Sequence, residues 1–423
     1  MGTPRDTTHS DSKSVDQPGH LVSSKQAPFS EKELTGYKYF DKISSLLEGL
    51  HGAHQHSNRK LHYDQYISAV LFYFFNPILT SLRGLQAATQ LKKVQKTLGI
   101  KATSRTCLSE ASHLFDPTLI EPIISILAKQ ASPVEKHPHL QSLYQELTAV
   151  DGTVLPALPK MVWALWMDEE HRAAKLHLSF SLNRYVPWGA SITEANASEI
   201  EEFRKSLAPN HLYVLDGGYG QYRLFKDICD KGSSFVSRIH DNAVWETIEK
   251  LPLTDEDKRA GIIQDEIVRL GCASRRDDCP MPLRVIKIQY HALPTAPRSK
   301  KDDKNKRAET TKPQVIILVT DQLDLPAEVV ALLYKYRWQI ELFFRWFKCI
   351  LSCQHWLAHS KNGVTLQVYC ALIASLLISL WTGKKPTKRT FELLCLYMSG
   401  WAEEEELLAH IEKLKEAPPQ NTP

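Results

Sequence analysis

Four side chains that could act on a phosphodiester recur at helical spacing in one stretch of the sequence. Residues 334–348 read YKYRWQIELFFRWFK, without proline or glycine. In a helix, one face would carry Tyr334, Arg337, Glu341 and Lys348 within an arc of about 60°. The carboxylate could ligate a metal ion while the cations hold phosphates. A solvent-exposed amphipathic helix, with Glu341 paired to Arg337, would show the same pattern.

Two aspartates elsewhere each follow an apolar run that predicts a β-strand. Residues 147–150 lead into Asp151, and residues 211–215 lead into Asp216; a glycine follows each aspartate. Asp-Gly is also a turn signal, but sites of α/β sheets commonly lie at strand ends. Three converging carboxylates repel one another unless cations lie between them. We therefore predict that Asp151, Asp216 and Glu341 hold two Mg²⁺ or Mn²⁺ ions about 4 Å apart, for in-line attack by water or a DNA 3′-hydroxyl.

Length and composition describe the kind of chain that must position these groups. The 423 residues can bury more than one core, and 43% hydrophobic with 24% charged residues is typical of globular proteins. A net charge of +4 permits an anionic partner without requiring one. Eight cysteines form no regular framework, and no secretory signal opens the chain. We expect a cytoplasmic protein with reduced cysteines that does not enter the membrane.

The region before the first aspartate contains a candidate DNA-binding unit. Apolar stripes between residues 59 and 130 predict helices. Gly99 is placed to end one helix, and Ser104 is a good N-cap for the next, which would run to about Leu114. This is the layout of a helix-turn-helix, and Arg105 would face DNA. A small helical bundle packed on the main domain is the alternative.

The order of predicted elements indicates an α/β sheet. Strands are expected at residues 147–150, 161–166 and 175–182, followed by a helix, a strand ending in Asp216, another helix and a strand. The predicted organisation is a disordered or linker tail with a possible short helix at 1–58, a helical DNA-binding domain at 59–130, a first core segment at 143–241, a β-rich insertion at 242–313, a second core segment at 314–382 and a C-terminal helical tail at 383–423.

The chain resembles bacterial DDE transposases of the insertion-sequence four family. The third motif of that family, Y-x2-R-x3-E-x6-K, matches Tyr334, Arg337, Glu341 and Lys348 without a gap. The first two motifs resemble the segments around Asp151 and Asp216. Further similarity follows the third motif, in Ser360-Lys361-Asn362-Gly363-Val364 with Gln367.

The resemblance implies a fold, an activity and several residue roles. The fold would be an RNase H-like mixed sheet with helices, interrupted by the β-rich insertion. The protein would cleave transposon inverted-repeat ends and join them to target DNA, through a hairpin at the transposon end and as a DNA-bound homodimer in a bacterial nucleoid. Tyr334, Arg337 and Lys348 would hold the phosphate of the terminal bases. An insertion aromatic would take up a flipped base; Trp245 is our candidate, and a buried structural tryptophan is the alternative.

Two other functional classes are compatible with parts of the pattern. A transposase-derived protein without catalysis would keep DNA binding but cleave no strand. A glycoside hydrolase could use a pair of the acids, but it leaves the cations Arg337 and Lys348 without a role.

Overall fold

The computed structural model describes residues 45–54, 56–133, 137–158, 160–164, 172–290, 314–351, 355–383, 385 and 387–416. Most of the predicted N-terminal tail and the end of the predicted insertion, from residue 291 to 313, lie outside these residues.

A mixed β-sheet forms the centre of the described chain. Its nine strands lie in the order β3-β2-β1-β4-β5-β9-β8-β7-β6. Strands β1, β4 and β5 run parallel, and every other neighbouring pair is antiparallel. The strands are β1 Glu146–Pro156, β2 Ala173–Ser181, β3 Val186–Glu194, β4 His211–Leu215, β5 Ser234–Ile239, β6 Trp245–Lys250, β7 Ile262–Leu270, β8 Leu283–Tyr290 and β9 Gln314–Thr320.

Helices precede the sheet, connect its strands and follow it. They are α1 Tyr63–Phe74, α2 Leu82–Ala88, α3 Lys92–Leu98, α4 Arg105–Leu114, α5 Glu121–Gln130, α6 Pro138–Gln141, α7 Glu199–Lys205, α8 Tyr222–Asp230, α9 Asp255–Arg259, α10 Ala327–Tyr336, α11 Trp338–Leu351, α12 Lys361–Thr382, α13 Lys388–Met398 and α14 Glu404–Glu416. The predicted α/β class is therefore confirmed.

Helix α12 is the central helix of the core. It packs against α1, α5, α11 and strand β3. Among the described residues it is the one helix long and apolar enough to span a membrane, yet 89% of its apolar window is buried inside the protein. Such burial is typical of a core helix of a globular protein.

One predicted strand is wrong. Of the strand predicted at 161–166, residues 161–164 form a turn and residues 165 and 166 lie outside the described residues; the third strand of the first core segment is β3 instead. Pro187 and Gly189 are residue types that disfavour the interior of a strand. The position of β3 explains the difference, because β3 is an edge strand whose partner is β2 and whose register shifts near Phe180. An edge strand with a bulge tolerates proline, since one side of its backbone makes no ladder hydrogen bonds.

The predicted helix end at Gly99 and the predicted helix start at Ser104 are confirmed. Gly99 ends α3 with φ +62°, a left-handed conformation that favours glycine. The Ser104 hydroxyl caps α4 by accepting a hydrogen bond from the Cys107 amide at 3.1 Å. Arg105 is exposed at the start of α4, whereas Ser112 in its last turn is buried.

The N-terminal helices share a core with the sheet region. Asn362, in the first turn of α12, donates from Nδ2 to the carbonyl oxygens of Ser112 (2.9 Å) and Phe115 (2.7 Å). A Cβ at Gly363 would lie 3.0 Å from the Cβ of Ser112, so glycine permits this close approach. One hydrophobic cluster includes side chains from both regions. This packing agrees with the bundle alternative and leaves the exposed face of α4 accessible.

Candidate catalytic site

Parallel pairing of β1 with β4 places the two aspartates side by side. Ala149 pairs with Val214, and Asp151 and Asp216 each lie two residues further along. Each carboxylate accepts a hydrogen bond from the amide of the following glycine, at 2.8 Å for Asp151 and 2.7 Å for Asp216. Both side chains are therefore oriented by local backbone bonds at the point where β4 ends.

The predicted helix at residues 334–348 is present, but a tightened turn at Arg337 divides it into α10 and α11. The Arg337 amide donates to the Tyr334 carbonyl at 3.2 Å, and the Arg337 carbonyl accepts from the Ile340 amide at 3.2 Å. These i to i+3 bonds are those of a 3₁₀ turn. Arg337 keeps helical backbone angles, so the two helices remain nearly continuous.

The Arg337 guanidinium and the Tyr334 hydroxyl together contact the three acids. Arg337 Nη2 donates to Glu341 Oε1 at 2.8 Å, and its Nη1 lies 3.8 Å from Asp151 Oδ2. Tyr334 donates from its hydroxyl to Asp216 Oδ1 at 3.3 Å. Burial by itself would lower the pKa of Arg337, but the charges of Asp216 and Glu341 outweigh it and raise that pKa. Arg337, only 9% exposed, is therefore a buried, charged centre among carboxylates.

Burial also changes the protonation of two groups around Arg337. It raises the pKa of Asp151 to about 6, although the Gly152 amide and Arg337 both act to lower it. Burial, together with the nearby charge of Asp216, raises the pKa of Tyr334 to about 12. At neutral pH the phenol is thus a hydrogen-bond donor, and the Asp151 carboxylate is ionised in a site that disfavours its charge.

The donor set suits a divalent cation, although Arg337 lies between the acids. Carboxylate oxygens are the ligands that Mg²⁺ and Mn²⁺ prefer. Among the described residues, no three His, Cys, Asp or Glu side chains are arranged to hold a metal ion as they stand. Arg337 Nη1 is buried without a hydrogen-bond partner. The residue types fit a metal, and the guanidinium supplies positive charge among them.

Residues 145–377 match the family described as Transposase DDE domain. The chain belongs to this family. A Sinorhizobium fredii protein named "Putative transposase y4zB" is 30% identical over 235 residues, which cover 55% of this chain and 60% of that protein. A Synechocystis protein named "Putative transposase for insertion sequence element IS4SA" is 22% identical over 301 residues, covering 70% of this chain and 77% of that protein.

Among solved structures, the chain is similar to a piggyBac transposase synaptic complex with hairpin DNA, with a TM-score of 0.38 and 10% identity. The alignment covers 92% of this chain and 82% of that one. The segment that matches the transposase DDE domain contains all three predicted acids.

The other predicted site residues of this transposase-family chain lie on different elements. Lys348 is half-buried in α11, two helical turns beyond Glu341. Trp245 begins the edge strand β6 and is partly buried, with Lys287 Nζ 5.3 Å from its ring centroid. In the described part of the chain, Arg105 and Trp245 make none of the bonds that join the three acids to Arg337 and Tyr334.

The structure adds a fourth acid that sequence reasoning missed. Glu199, the first residue of α7, lies 3.2 Å from Lys175 Nζ and accepts a hydrogen bond from the Tyr219 hydroxyl at 3.3 Å. Burial is the main cause of the raised pKa of Asp151, and the negative charge of Glu199 raises that pKa further. No local pattern marks it, because acidic residues are usual in the first turn of a helix.

Proposed function

We propose that this chain is a DNA transposase, which cleaves the inverted-repeat ends of an insertion sequence and joins them to target DNA. The observation that carries the proposal is the placement of Asp151, Asp216 and Glu341, from three distant segments, around Arg337 and Tyr334. Burying charged groups is costly, and clusters of perturbed charges are frequent at functional sites. Membership of the transposase DDE domain family supports the same reading.

The strand order supports an RNase H-like core in this proposal. Antiparallel β1, β2 and β3 continue into parallel β4 and β5, and both aspartates lie on the adjacent strands β1 and β4. Strands β6, β7 and β8 fall between β5 and β9 in the chain and extend the same sheet. They would be the β-rich insertion.

Asp151, Asp216 and Glu341 would hold two Mg²⁺ or Mn²⁺ ions. Such ions, when bound, activate the attacking oxygen and stabilise the leaving one. Arg337 would then be released from the acids, and its planar fork could hold a DNA phosphate. Tyr334, protonated at neutral pH, would donate a hydrogen bond to the same phosphate.

Further residues would bind DNA away from the acids. Lys348 would hold a phosphate as a point charge. Arg105 on exposed α4 would contact the inverted repeat, and Trp245 in the insertion would receive a flipped base at a hairpin end. Two ends must be brought together, so we propose a homodimer on DNA, acting in the cytoplasm.

The test uses the purified full chain and duplexes carrying the inverted repeats that flank its gene. With Mn²⁺ or Mg²⁺, the wild type should nick these duplexes, and denaturing gels should show a hairpin strand at the transposon end. Glu341→Gln should abolish nicking but keep end binding. Glu412→Gln, an exposed change on α14, is the control and should nick normally.

Two outcomes would count against parts of this proposal. Nicking by Glu341→Gln would refute the catalytic assignment. End binding by wild type without metal-dependent nicking would favour the alternative, a catalytically silent transposase-derived DNA-binding protein.

A further inference from the structure

Glu199 fills the space beside the first catalytic strand that a side chain at position 152 would need. A Cβ at Gly152 would lie 2.9 Å from Glu199 Oε1 and 3.0 Å from its Cδ. Neighbouring residues of a strand face opposite sides of the sheet. The Glu199 carboxylate therefore supports β1 from the face opposite to the Asp151 side chain, and glycine after Asp151 makes this contact possible.

Two bonds hold the Glu199 carboxylate in this place. Lys175, on the adjacent strand β2, lies 3.2 Å from Oε1 and its side chain is only 14% exposed. Tyr219 donates to Oε2 at 3.3 Å, and its own amide donates to the Asp216 carbonyl at 3.0 Å. Glu199 thus connects the strand position after Asp151 to the turn after Asp216.

A purely local role for Glu199 is the alternative. Acidic residues in a first helical turn stabilise the helix, but Glu201 and Glu202 occupy that turn of α7 as well. Glu202 forms an i,i+3 ion pair with Lys205 and is directed to its own helix. Glu199, in contrast, bonds to β2 and to the turn after β4 and lies beside Gly152 of β1, and helix capping requires none of these contacts.

We propose that Glu199 is a positioning residue of the catalytic site, whose carboxylate, held by Lys175 and Tyr219, sets the spacing between the Asp151 and Asp216 segments. The inference rests on the proposed function, because those two segments are taken as the ones that hold the metal ions. Groups that orient metal ligands typically change metal affinity or activity by about 10- to 100-fold when they are removed.

The experiment compares Glu199→Ala, Glu199→Gln and the matched control Glu202→Gln in the full chain. Glu199→Ala should slow nicking in preformed DNA complexes about 10- to 100-fold. It should also weaken Mn²⁺ binding to the DNA-free protein, measured by calorimetry, while end-DNA affinity stays within about twofold. Glu199→Gln keeps the shape and the acceptor for Tyr219, so it should recover most of the nicking rate. Glu202→Gln should resemble wild type.

Gly152→Ala keeps the charge of Glu199 but pushes its carboxylate aside, and it covers the case in which Glu199→Ala does not fold. Alone, Gly152→Ala should reduce Mn²⁺ affinity as Glu199→Ala does. The loss of Mn²⁺ affinity in the double variant should be smaller than the sum of the two single losses. Wild-type Mn²⁺ affinity and nicking in Glu199→Ala, or additive effects with Gly152→Ala, would overturn the inference. If wild type binds Mn²⁺ but never nicks, the proposed function fails while the Mn²⁺ measurements still decide the role of Glu199.

Discussion

Replacing Asp151 by asparagine should stabilise the metal-free protein while abolishing strand cleavage. Burial raises the pKa of this carboxyl from its ordinary 3.8 to about 6, even with Arg337 and the Gly152 amide acting against the rise. The shift is about two units at 1.36 kcal/mol each, so the ionised group costs the folded state about 2 to 3 kcal/mol at pH 7. Asparagine resembles the neutral acid and can still accept the Gly152 amide bond.

The sign of the pH dependence follows from the same shift. The folded protein binds this proton more tightly than the unfolded chain, so stability falls as pH rises from about 4 to 6. Well below pH 4 both states are protonated, and the two variants should be equally stable at this site. Above pH 6 the full difference of about 2 to 3 kcal/mol should remain.

Urea unfolding in EDTA, at several pH values between 4 and 8, measures this difference. Asp230→Asn is the control, because Asp230 forms an exposed surface pair with Lys226 and should change stability by less than about 1 kcal/mol. Added Mn²⁺ should stabilise wild type more than Asp151→Asn, since a ligand stabilises the state that binds it. Asp151→Asn that is less stable than wild type at pH 7, or a difference independent of pH, would refute the reasoning.

Three further changes test neighbouring contacts. Arg337→Lys keeps the charge but loses the fork that serves two acids, so nicking should slow more than DNA affinity falls; unchanged rates would contradict this. Tyr334→Phe removes the 3.3 Å hydrogen bond to Asp216 and should lower the free energy of unfolding, measured with urea, by about 0.5 to 1.5 kcal/mol. An unchanged free energy would mean that the hydroxyl bonds to water instead of to Asp216. Arg284→Met leaves the buried Asp265 carboxylate without its ion-pair partner and should lower the free energy of unfolding by about 3 to 5 kcal/mol. A second change, Asp265→Leu, should largely restore stability if the loss comes from the unpaired charge.

The Arg284 contacts fix the proposed insertion to the segment that leads into α10. The Arg284 guanidinium bonds both oxygens of Asp265 on β7, at 2.8 and 2.6 Å. Its Nη1 also donates to the carbonyl oxygens of Leu323 and Leu325, just before α10. Strands β7 and β8 are thereby bonded to the segment that leads to Tyr334 and Arg337.

The sequence alone predicted the strands and helices in which apolar residues recur at a regular spacing. The strand predicted at residues 211–215 has the bounds of β4, and the strands predicted at 147–150 and 175–182 correspond to β1 and β2. The spacing of Tyr334, Arg337 and Glu341 placed these residues on one helical stretch. Each of these features can be predicted from local sequence, because the spacing of apolar residues indicates which face of a strand or helix is buried.

Only the tertiary structure decided which remote groups meet. β3 is a strand because an edge position and a bulge tolerate its proline, and a partner strand is invisible in local sequence. The acids converge on Arg337 and Tyr334 because β1 and β4 pair in parallel and α11 packs against β1. The Glu199 carboxylate lies beside β1 in the space that a side chain at Gly152 would need. Contacts between distant segments depend on strand order and register, and residue types alone encode neither.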